Sequence, residues 1–257
     1  RLLLWEWERI RAERAGRHET ADKFIQGLGV PGLRRLNLQN ALDHAVFEVH
    51  EKQGAATAGP VEIPSATLTD HLTACFTRTG LEKLEAGEKA AFFVTGFLGQ
   101  RKDFIVPAGE ESFQTPHRTF QEFLAARHLQ SRRKFHREVR ERVRENYDVW
   151  REVVVLAVGL AGRNRAWHAV DAIDHLCPQK FPQTEAEFRE LILAGEALAE
   201  VGVSTALGEE GGQEVEQRVV GFLKRTMQDT GDRGRPYKRP RVPIPTRYAA
   251  AETLDRL

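Results

Sequence analysis

The chain is a succession of apolar stripes at helical spacing, interrupted by two short extended runs. Leu3, Leu4, Trp7 and Ile10 recur at helical intervals with charges between them, until Gly27, Gly29, Pro31 and Gly32 end the pattern. Leu38, Ala41, Leu42, Ala45, Val46 and Val49 predict a helix over 36–53, with Asn37 as its N-cap. Residues 54–64 read as loop. Helices follow at 65–77 and 79–98, the first with a capping-type start at Ser65 or Thr67. Phe104–Val106 and Ser112–Thr115 are the expected strands of a hairpin whose tip is Pro107–Glu111. The next helix starts near Pro116, a residue suited to a first turn, and runs to about Gln130. Phe120 and Phe123 are expected in the core, and Ala125 and Ala126 allow close helix contact. Helices, a hairpin and a closing helix spell a winged-helix-like unit.

Beyond residue 130 the pattern is helical throughout. In 131–146, Phe135, Val139 and Val143 recur every fourth position among alternating arginines and glutamates, the signature of a solvated amphipathic helix. WREVVVLAVGLA, at 150–161, is apolar almost throughout and reads as a central, buried helix. Further helices fit 164–176, 184–200 and 214–227. The proline-rich stretch Arg233–Pro245 is an extended connector before a last helix. The fold class expected is mainly α: a winged-helix-like unit with a short β-hairpin, then an irregular, HEAT-like α-solenoid. The domain boundaries expected are 1–32, 33–130 and 131–257.

Composition narrows the function classes. Lysine and arginine total 38 against 37 acids, a net charge of +1 that leaves no electrostatic footprint for nucleic acid. Two cysteines, Cys75 and Cys177, build no disulfide framework and fit a reducing compartment. No apolar run is long enough for a membrane span. The single methionine is Met227, and the chain opens and closes inside helical patterns, so it reads as an excised piece of a longer protein.

The segment FQTPHRTFQEFLAARHL, Phe113–Leu129, carries the most information. It resembles the end of the winged-helix domain in NACHT-type STAND signalling NTPases, the class that includes animal NLR proteins. There a short strand leads to a histidine and then to T-F-Q-E, an aromatic, a hydrophobic residue and two alanines. This chain has His117, Thr119, Phe120, Gln121, Glu122, Phe123, Leu124, Ala125 and Ala126 at those places. More loosely, LLLWEWERIRAERAG resembles the helical stretch after the nucleotide-binding core, making 1–32 the end of that helical domain. LQNALDHAVFEVHEKQ resembles the first winged-helix helix, and WREVVVLAVGLAG the opening solenoid helix of bacterial members. Thr95-Gly96-Phe97-Leu98 departs from the serine-glycine-leucine stretch usual before the hairpin.

The resemblance implies a role. His117 would reach the β-phosphate of ADP bound to a parental ATPase core and help hold the inactive state. Thr119, Phe120, Gln121, Glu122 and Phe123 would form the structural motif around it. The helical array would sense a protein or small-molecule trigger, and ATP exchange would let the parent assemble into a homo-oligomer in the cytoplasm, in signalling of the bacterial defence type. The chain itself has no GxxxxGK followed by serine or threonine and no acidic strand end for Mg²⁺, so it is not expected to be an enzyme or to bind ADP or ATP tightly alone.

Other readings come from the residues directly. A helical-repeat interaction scaffold without a nucleotide role is the alternative. DNA binding would need a basic recognition helix, and 117–130 offers only Arg118, Arg127 and histidines beside a glutamate. His168, Asp171 and His175 share one helical face at loosely metal-like spacing, and His71 lies four residues before Cys75. Neither group has the companions a metal site needs, so no metal is expected and Cys75 reads as a buried thiol. Trp5, Trp7, Trp150 and Trp167 are expected to pack between helices.

Overall fold

The computed structural model describes residues 25–52, 61–99, 105–229 and 242–257. The predicted features at 1–24, including Trp5 and Trp7, lie outside them, as do Phe104 and most of the proline-rich connector. The fold is mainly helical with a small three-stranded antiparallel sheet. The chain divides into two units, Arg1–His128 and Leu129–Leu257.

The first unit runs α1 (Arg35–Lys52), β1 (Ile63–Pro64), α2 (Ser65–Thr77), α3 (Lys83–Phe92), a π-helical turn (Phe93–Leu98), β2 (Val106–Pro107) and β3 (Ser112–Gln114). It then enters α4 (Arg118–Ser131). β3 lies between the other strands, pairing Phe113 with Ile63 and with Pro107. The strand β1 falls in the stretch expected to be loop. Two residues carry no alternation to read, and Pro64 lacks an N–H. Its pairing comes from Phe113 and Ser112, and the hairpin also caps α2, since Ser65 N–H donates to the Glu111 carbonyl at 2.9 Å. No side-chain cap forms at Ser65 or Thr67. Asn37 is likewise not the N-cap of α1. It lies inside the helix, where its side chain accepts from Arg34 N–H at 3.0 Å. The helix expected at 79–98 divides into α3 and the π turn.

The stripe of α1 packs as its spacing requires: Leu38, Ala41, Ala45, Val46 and Val49 are buried. They meet Leu68, Leu72 and Phe76 of α2, Phe93 and Val94 of the π turn, and Ile63 and Phe113 of the sheet in one core. Each large apolar side chain so enclosed contributes roughly 1.5–3 kcal/mol.

The second unit continues with α5 (Phe135–Glu145), α6 (Tyr147–Asn164), α7 (Ala166–Leu176), α8 (Glu185–Val201), the short α9 (Val203–Leu207), α10 (Gly212–Gln228) and α11 (Ile244–Asp255). Phe135, Val139 and Val143 are the buried positions of α5, as the four-residue period predicts. Asn146 turns the chain into α6 and caps it, accepting from Val149 N–H at 3.3 Å. Thr184 and Glu187 form a reciprocal capping box on α8. Gly202, at φ 89°, ends that helix in a conformation that side chains rarely adopt. α6 packs against α7 and α8, and α10 against α11. Trp150 is buried, whereas Trp167 is 52% exposed and does not pack between helices.

Candidate functional site

The expected site segment opens at the end of the sheet. Thr115 is fully buried, and its hydroxyl donates to the His117 carbonyl at 3.1 Å. The same carbonyl accepts from Phe120 N–H at 3.0 Å, so the backbone turns tightly into α4. Pro116 stands two residues ahead of the helix rather than in its first turn. The His117 side chain is exposed, its ring stacked on Phe120 with centroids 6.2 Å apart. An exposed imidazole beside the first N–H groups of a helix can donate to an anion.

Along α4 the polar residues, not the aromatics, face inward. Gln121 is buried, with its amide nitrogen 3.2 Å from His50 Nδ1 and its oxygen accepting from Val61 N–H at 3.0 Å. Glu122, also buried, accepts from Arg118 Nε at 2.8 Å. Phe120 and Phe123 are half-buried, which corrects their expected core placement. Phe123 packs on the rim of the core, beneath the Arg127 guanidinium. Leu124, Ala125, Ala126 and Leu129 are the enclosed apolar positions, and Thr119 is exposed.

Side-chain pairs that the sequence did not bring together join α4 to α1. Arg127 Nη2 pairs with buried Asp43 at 2.9 Å. Burial pushes the Asp43 carboxyl up to about 7, against the pull of Arg127. One level along, His128 stacks on His44 with centroids 4.2 Å apart, and His44 lies equally close to His71 of α2. His71 Nε2 is 2.7 Å from Glu48 Oε2. Neighbouring positions in the linear chain give no sign of these pairs, because their members come from different elements.

Two helices, α2 and α3, lie between β1 and the hairpin, and α3 carries mixed charge. Its Lys83 and Lys89 flank Glu85 and Glu88. Lys89 turns inward to the Leu28 carbonyl at 2.7 Å, and Leu84 is 79% exposed.

The second unit holds a cavity of about 640 Å³ where α5 ends, α6 begins and α8 begins. Arg144, Tyr147, Asp148, Glu185, Arg189 and Glu190 are among its lining residues. Arg189 lies over the Tyr147 ring, and the burial of Tyr147 raises its hydroxyl above the ordinary tyrosine range. Glu190 is enclosed and bonded to both Arg140 and Arg144.

His168 and His175 are half-buried, His168 packing on Phe135 and His175 on His136. Among the described residues no group of three or more His, Cys, Asp or Glu side chains is arranged to hold a metal ion. Cys75 and Cys177 are free and buried, and burial raises both thiols. No described helix is long and apolar enough to cross a membrane. Compared with known protein families, curated proteins and solved structures, the chain matches none.

Proposed function

We propose that this chain is the regulatory portion of a NACHT-type signalling ATPase of the cytoplasm, its winged helix contacting ADP held by a parental core. The observation that supports this is the division of labour around His117. The imidazole is left exposed at the head of α4, while Gln121 ties that helix inward to α1 and to the chain before β1. A phosphate contact at His117 would read the nucleotide, and the helix it heads would carry the difference to the rest of the unit. The helical second unit, with its polar cavity, supplies the surface for a trigger. The mixed charges of α3 weigh against DNA as the partner.

The test is His117→Ala in the full-length parent. Losing one charge-assisted hydrogen bond to a phosphate speeds ADP release about tenfold or more, and the variant signals without its trigger. Unaltered ADP release, or a parental gene without a phosphate-binding loop upstream of Arg1, refutes this reading. Either result would favour a helical-repeat scaffold, whose binding surface is the 640 Å³ cavity.

A further inference from the structure

The face of α7 that carries His168, Asp171 and His175 is met by the start of α5. His136 brings a third imidazole, its ring centroid 4.6 Å from that of His175. The preceding residue, fully buried Phe135, lies 4.9 Å from His168. His168 in turn is 5.1 Å from exposed Trp167. The first two residues of α5 are thus seated against positions two turns apart on α7, with a histidine at each contact. His175 Nδ1 stands 2.9 Å from the Asp171 carbonyl, which can only accept, so Nδ1 is the protonated nitrogen and the ring is oriented by it.

We propose that this contact is a proton-operated clasp: neutral imidazoles close α5 onto α7, and protonation of His136 and His168 releases α5 and bares Phe135. The charge inventory gives the direction. A charge on His136 would be opposed by His175 and Arg137 of α5, and one on His168 by His136 and by Arg165 ahead of α7. Asp171 is the carboxylate that favours it at His136 and His168, and it is exposed. Of the other acids, Glu138 pairs with Arg132, Asp174 with Arg218 of α10, and Glu190 of α8 with Arg140 and Arg144, while Glu141 of α5 is exposed to solvent. Burial is the largest influence holding His136 and His168 below the ordinary histidine range, so the closed state resists charging and the charged state favours opening. The clasp is independent of any nucleotide role for His117.

Hydrogen exchange of the whole chain at about pH 7.5 and 5.5, corrected for intrinsic rates, tests it. Residues 135–145 are expected to lose protection about tenfold or more at the lower pH, while 244–255 of α11 change less than about twofold. In the double variant His136→Gln with His175→Gln, the acid effect on 135–145 shrinks at least about threefold. Equal protection at both pH values overturns the proposal, as does an undiminished acid effect in the double variant. If that variant fails to fold, imidazole NMR on the native chain decides. His136 and His168 titrating below the ordinary range, together with a change in the α5 amides at the same midpoint, supports the clasp. Titration at or above that range overturns it.

Discussion

Arg140 sets two nitrogens on one oxygen of Glu190, Nε at 3.0 Å and Nη2 at 2.7 Å, and Glu190 is 1% exposed. Arg144 takes the other oxygen through its Nε. The burial is one-sided, since both arginines keep contact with water while the carboxylate does not. Removing the two cations therefore costs more than removing the anion. The double variant Arg140→Ala with Arg144→Ala strands a buried charge and is expected to lose about 3–5 kcal/mol of stability. Glu190→Met leaves two guanidinium groups that can turn to solvent and costs about 1 kcal/mol. Urea denaturation of both variants checks this, and equal losses would place the stabilisation elsewhere.

Asp43 offers a pH dependence whose sign is fixed by its surroundings. It meets Arg127 through Oδ2 at 2.9 Å, while its Oδ1 is buried without a hydrogen-bond partner. Burial outweighs the cation and pushes the carboxyl from an ordinary 3.8 to about 7. A folded value above the unfolded one means that the folded chain binds the proton more tightly. The associated stability is fully present below about pH 3.8 and is lost as pH rises through about 7. Between those limits the slope reaches at most about 1.4 kcal/mol per pH unit. Asp43→Asn removes it. Native chain minus variant, measured as unfolding free energy at pH 5, 6 and 7, should fall with rising pH, and a flat difference would contradict the assignment.

Much of the helical framework was legible because the packing repeats at the helical period. Phe135, Val139 and Val143 announce the buried face of α5 through spacing alone, as do Leu38, Ala45 and Val46 for α1. Ile63 and Pro64 could not be read that way, because a two-residue strand exists only through Phe113 and Ser112, supplied much later in the chain. The candidate segment fails the same test from the opposite side. Hydrophobicity puts Phe120 and Phe123 inside, yet Gln121 is the enclosed residue, since His50 and the Val61 N–H give its amide partners there. His168 and His175 were visible as a face of α7, whereas His136, which completes the group, belongs to another helix.

Gly195 marks where α8 meets α10 and α11 most closely. A methyl group there would stand 2.5 Å from Thr253 Cγ2 and 2.8 Å from Leu223 Cδ1. Neither neighbour yields readily. Leu223 and Thr253 are buried, and the Thr253 hydroxyl donates to the Ala249 carbonyl at 2.8 Å, which holds its rotamer. Gly195→Ala should therefore cost about 1–3 kcal/mol through overpacking, despite alanine's better helix propensity. Gly221, on the exposed face of α10, has nothing within 4 Å of the same added methyl. There only the backbone entropy changes, and Gly221→Ala should stabilise by about 0.5–1 kcal/mol. Thermal unfolding of the two variants separates the effects. Opposite shifts in Tm confirm that the α8 seam is closed by contact, and a stabilised Gly195→Ala protein would show that α10 and α11 can move apart from it.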